Sequence, residues 1–99
     1  MTTIRDILNR AADLVEQGWC QYKLENRRPD GITEYCVIAA LSKAADGNHD
    51  TSFRMSDAYW LLESRIGDDN GDLVNWNNTL GRTQAEVVSL LRTVAAEQG

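Results

Sequence analysis

The chain is poor in the residues that mark special scaffolds. A single proline in 99 residues rules out a Pro-rich linker, and with no low-complexity tract or repeat, one domain spanning residues 1–99 is expected. Two cysteines, Cys20 and Cys36, are too few for a disulfide scaffold. A chain of this length buries roughly two thirds of its unfolded surface without one. No apolar run approaches the roughly 20 residues of a membrane span. Arg5, Asp6, Arg10 and Asp13 break up the first stretch, so no export signal is read and two reduced thiols in a cytoplasm are expected. Phosphate-binding glycine loops and serine elbows are missing. The lone histidine, His49, and two cysteines lack any zinc spacing, so neither a metal nor a cofactor is expected.

An excess of basic charge is also missing. The net charge is −5, and it is localised. Asp46, Asp50, Asp57, Glu63, Asp68, Asp69 and Asp72 face only Arg54 and Arg65 between positions 46 and 72, while the rest of the chain balances. This argues against direct nucleic-acid binding through phosphates and favours a partner with a basic surface. The run Asp46-Gly47-Asn48-His49-Asp50 imitates the start of a calcium loop. Thr51 stands where that loop needs glycine and Asp57 where it needs glutamate, so it reads as a turn.

What is present is helical periodicity. Ile4, Ile7, Leu8, Ala11, Leu14 and Val15 recur at spacings of three and four, with Thr2 or Thr3 as cap and Gly18 as stop. Residues 33–45 are apolar on nearly every side and read as a buried central helix, capped by Thr33 and stopped at Asp46-Gly47. Met55, Ala58, Tyr59, Leu62 and Ile66 give a third stripe, starting at Ser56 or Asp57 and ending at Gly67. Residues 72–82 suggest a turn of helix and a packed loop around Trp76. Thr83-Gln84-Ala85-Glu86 is a capping box that opens the last helix. Large apolar and polar residues alternate over 19–24, and Pro29-Asp30-Gly31 is turn chemistry, which suggests one short extended segment or hairpin within 19–32. The expected fold is mainly α, a small four-helix domain around the helix at 33–45.

Gly18-Trp19-Cys20-Gln21, Cys36-Val37-Ile38-Ala39-Ala40-Leu41, Trp76-Asn77 and Gly81-Arg82-Thr83 with Glu86-Val87 together resemble a family of small uncharacterised proteins encoded by actinobacteria and their phages. The resemblance spans nearly the whole chain, with Ala39 where the family pattern has glycine and Asn78 where it has aspartate. It implies a bacterial or phage cytoplasmic setting and carries over no catalytic residue.

Two function classes follow. The first is a binding module whose acidic segment, through Asp46, Asp50, Asp57, Glu63, Asp68 and Asp69, meets a basic protein surface. Trp60, at the rim of its stripe, supplies an exposed aromatic contact, while Trp19 and Trp76 are expected in the core. Such a protein could inhibit a host nucleic-acid enzyme by occupying its groove. The second is a cysteine-dependent enzyme with Cys36 as nucleophile at a helix N-terminus and His49 as base. His49 follows the far end of the same helix, nearly 20 Å from Cys36 at about 1.5 Å per residue, which favours the binding reading.

Overall fold

The computed structural model describes residues 3–45, 51–66 and 72–98. The chain order is α1 (Ile4–Gln17), β1 (Glu25–Arg27), β2 (Thr33–Tyr35), α2 (Val37–Ala45), α3 (Thr51–Ile66), α4 (Leu73–Asn77) and α5 (Gln84–Glu97). The fold is therefore mainly helical with a small two-stranded antiparallel sheet. None of the described helices is long and apolar enough to cross a membrane.

Helix α1 is the element on which the others assemble, packing against α5, α2, α3 and β2. Its stripe Ile7, Leu8, Ala11, Ala12 and Val15 is fully buried, and each large side chain there contributes roughly 1.5–3 kcal/mol. Thr3 caps it. The Thr3 hydroxyl accepts from the Asp6 N–H at 3.1 Å and the Asp6 carboxylate accepts from the Thr3 N–H at 3.2 Å, satisfying two otherwise orphaned donors. At the other end, the Gln84 amide of α5 donates to the Val15 and Glu16 carbonyls at 2.6 and 3.2 Å. Arg92 of α5 reaches Asp13 and Glu16 at 2.6 and 2.9 Å, and those two carboxylates, Asp13 foremost, raise its already high pKa. The expected capping box at Thr83 is present, with Glu86 accepting from the Thr83 N–H at 3.0 Å. That bond is the main reason the Glu86 carboxyl titrates below its usual range.

The expected start of the central helix is corrected. Helix α2 begins at Val37, and Thr33–Tyr35 forms β2. Tyr35 is held from both sides: it pairs with Glu25 of β1, and it exchanges backbone bonds with Gly18 and Cys20 at 3.0 and 3.2 Å. These bonds replace the first helical turn, which Thr and Tyr favour little in any case. The real cap is Cys36, whose sulfur accepts from the Ala39 N–H at 3.4 Å. Within the helix Val37, Ala40, Leu41, Ala44 and Ala45 are buried on one side and Ala39 is buried on the other, and Ser42 and Lys43 are exposed. Helix α2 is thus buried over most of its circumference, with Ile38 packed against the core as well.

Helix α3 also starts earlier than expected, at Thr51 and not at Ser56 or Asp57. No glycine or proline lies between 51 and 57 to stop it. The helical turn expected in residues 72–82 is α4, capped by the Asp72 carboxylate on the Asn75 N–H at 2.8 Å, which makes five helices among the described residues.

Candidate functional site

The acidic residues expected to form a contact surface divide between two situations. Asp46, Asp50, Asp68 and Asp69, together with His49, lie outside the described residues. Asp57, Trp60 and Glu63 lie on α3, one helical turn apart. Trp60 is 67% exposed while its neighbours Ala58 and Leu62 are completely buried. The ring is held all the same. Tyr59 meets it edge-on, with centroids 5.8 Å apart and planes at 86°, a favourable arrangement for two quadrupoles. The Tyr59 phenol in turn donates to the Glu63 carboxylate.

This hydrogen bond, followed by burial and the negative charge of Glu63, pushes the Tyr59 pKa up to about 12. The neutral phenol is the form that the fold stabilises. The contribution is therefore present from neutral pH up to the unfolded value near 10 and is lost as pH rises towards 12. A spectrophotometric alkaline titration should show one tyrosine ionising near pH 12, and Tyr59→Phe should remove that late step. A late step that survives the substitution would refute the Tyr59–Glu63 assignment.

The motif residues converge elsewhere, on Asn77, which is 1% exposed. Its side-chain oxygen accepts from the Trp19 indole N–H at 2.8 Å and from the Val37 N–H at 3.0 Å. Its amide donates to the Cys20 carbonyl at 3.2 Å and to the Asn78 side-chain oxygen at 3.1 Å. Asn78 accepts a second bond there, from the Tyr22 N–H at 2.8 Å, a role that a carboxylate could also fill. Gln21 donates to the Asn77 and Thr79 carbonyls, each at 3.0 Å. Arg82 lies over the Trp76 ring at 4.1 Å and donates to the Trp76 carbonyl at 3.0 Å. Gly18 suits a close approach, because a Cβ there would stand a tight 3.2 Å from both the Glu34 Cα and the Thr33 oxygen. Sequence reasoning named Trp19, Cys20, Val37 and Asn77 as motif residues without seeing that the Asn77 carboxamide joins the other three.

These bonds hold residues 19–24 across α4 and leave a groove of about 210 Å³ between them, lined by Tyr22, Leu24, Cys36, Val74, Asn77 and Asn78. Tyr22 has a φ of 67°, uncommon for a bulky residue, and the two hydrogen bonds to Asn78 from its N–H and hydroxyl hold it there. Cys36 is 6% exposed and its sulfur accepts from the Ala39 N–H at the start of α2. Trp76 is buried, while Trp19 is only partly buried, its indole N–H directed at Asn77. No set of three His, Cys, Asp or Glu side chains among the described residues is placed to hold a metal ion.

No curated protein and no solved structure matches the chain. Over residues 1–97 it matches a family of unknown function, DUF6197, and the chain belongs to that family.

Proposed function

We propose that the protein is a small binding module that docks on a basic surface of another protein through the outward face of α3. The observation that supports this most is the Trp60 ring, 67% exposed in a helix whose other side is core. A large exposed aromatic carries a desolvation gain on association, and tryptophan is the residue most enriched at binding hot spots. The edge-on contact with Tyr59 limits the rotamer freedom the ring has left to lose. Asp57 and Glu63, one turn to either side, supply negative charge at the rim, and the acidic residues that flank α3 in sequence extend its sign. A complementary partner is therefore basic. In a bacterial or phage-infected cytoplasm, the groove of an enzyme that grips DNA or RNA is such a surface, and occupying it would make the protein an inhibitor.

The test is co-purification of the tagged protein from a host lysate at low and moderate salt, with the double variant Asp57→Lys/Glu63→Lys as comparison. A partner with a basic surface should be retained in stoichiometric amount at low salt and weakened as salt rises. The charge reversals should lower its affinity by at least about ten-fold, mainly through slower association. Equal retention by the variant, or no retained partner at either salt concentration, would refute the electrostatic reading.

A further inference from the structure

We infer that Cys20 and Cys36 are a paired modification site, two thiols placed to close into one disulfide when the protein meets a small-molecule disulfide. Both cysteines are free, and two sets of backbone bonds bring them together. Trp19 and Tyr35 form a parallel bridge, made by the Tyr35 N–H on the Gly18 carbonyl at 3.0 Å and the Cys20 N–H on the Tyr35 carbonyl at 3.2 Å. Cys20 and Cys36 are the residues that follow the two bridge partners, so their backbones leave the bridge as neighbours. Adjacent strands run about 4.8 Å apart, inside the Cα separation of roughly 4.4–6.8 Å that a disulfide spans. The second tie is one oxygen shared by both. The Leu24 carbonyl accepts the Cys36 N–H at 3.0 Å and lies 3.9 Å from the Cys20 sulfur. Besides burial, Cys36 is also among the groups that push the Cys20 thiol up.

The two sulfurs differ in access and therefore in role. Cys20 is partly exposed, its thiol directed at the Lys23, Glu34 and Leu24 carbonyls. Cys36 is buried beneath the groove and caps α2. Cys20 is thus the attacking thiol and Cys36 the resolving one. Burial, then Cys36, then Glu34 and Glu25 push the Cys20 thiol up, against a smaller opposing pull from Lys23. Its thiolate is scarce at neutral pH, and the exchange is slow there.

Cys20 gives its proton to water and attacks one sulfur of the small disulfide, whose S–S bond breaks to release one thiolate. Cys36, deprotonated in turn, attacks the Cys20 sulfur and expels the second thiolate. The protein loses two protons and two electrons, and the small disulfide is reduced to two thiols. The product withdraws the Cys36 sulfur from the Ala39 N–H, so oxidation is transmitted to the N-terminus of α2 and to the groove floor.

The experiment is incubation of the folded full-length chain with glutathione disulfide, followed by an acid quench, intact mass and peptide mapping. The expected product is a monomer lighter by two hydrogens with Cys20 linked to Cys36. Its rate of formation should rise about ten-fold per pH unit above neutrality, following the thiolate fraction below the thiol pKa. Cys36→Ser should stop at a glutathione adduct on Cys20. Serine can still cap α2 through its hydroxyl, and circular dichroism of the variant checks that it folds. Separate glutathione adducts on both cysteines, disulfide-linked dimers, or thiols that react only in denaturant would each overturn the pairing.

Discussion

Asn77→Ala should destabilise the domain by about 3–5 kcal/mol, measured by urea unfolding. The alanine leaves the Trp19 indole N–H, the Val37 N–H and the Cys20 carbonyl without the partners they have at 2.8, 3.0 and 3.2 Å. Each orphaned group costs about 1–3 kcal/mol where water cannot reach it, and the Val37 bond is buried. The loss is a large share of the roughly 5–15 kcal/mol available to a domain of this kind. It also reaches three parts of the fold at once: the segment at 19–24, the start of α2 and the end of α4. Asn78→Ala is the natural comparison. Asn78 is less buried and its oxygen serves the Tyr22 N–H and the Asn77 amide, so water can take over and the cost should stay near 1 kcal/mol. Equal, small effects at the two positions would show that the carboxamide of Asn77 is not the junction described above.

Helices that declare themselves through local signals were legible in the sequence. The stripe of α1 and the capping box of α5 depend on residues three and four apart, and both are found where the periodicity places them. The start of α2 was not legible, because the contacts that decide it are distant in sequence. Residues 33–35 become a strand through Gly18, Cys20 and residues 25–27, and the Val37 N–H is satisfied from Asn77. The apolar run that marks this segment, Val37 to Leu41 with Ala44 and Ala45, is all helix, and only the polar lead-in at Thr33 and Glu34 with Tyr35 was assigned to the wrong element. The groove escaped notice for a similar reason. It depends on the left-handed backbone of Tyr22, which no glycine or asparagine at that position announces. The exposure of Trp60 was legible, since it sits at the rim of a clear stripe, whereas its fixation by Tyr59 was not.

Trp60→Ala carries the second large expectation, an effect on association with almost none on folding. The ring is 67% exposed, so its removal opens no cavity. The edge-on contact with Tyr59 at 5.8 Å is worth about 0.5–1.5 kcal/mol, which sets the ceiling on lost stability. At an interface the same ring would be desolvated against the partner, and a hot-spot tryptophan costs about 2–4 kcal/mol when truncated, or roughly 30- to 1,000-fold in Kd. A core tryptophan such as Trp76, 7% exposed beneath Arg82, would behave in the opposite way. The division between the two readouts therefore separates a contact residue from a structural one.

The most direct test is calorimetric titration of the co-purified partner into the wild-type protein and into Trp60→Ala, with urea unfolding of both run alongside. The two unfolding free energies should agree within about 1.5 kcal/mol, and the variant's affinity should be at least about 30-fold weaker. An unchanged affinity in a variant that folds as well as the wild type would contradict the assignment of α3 as the contact surface.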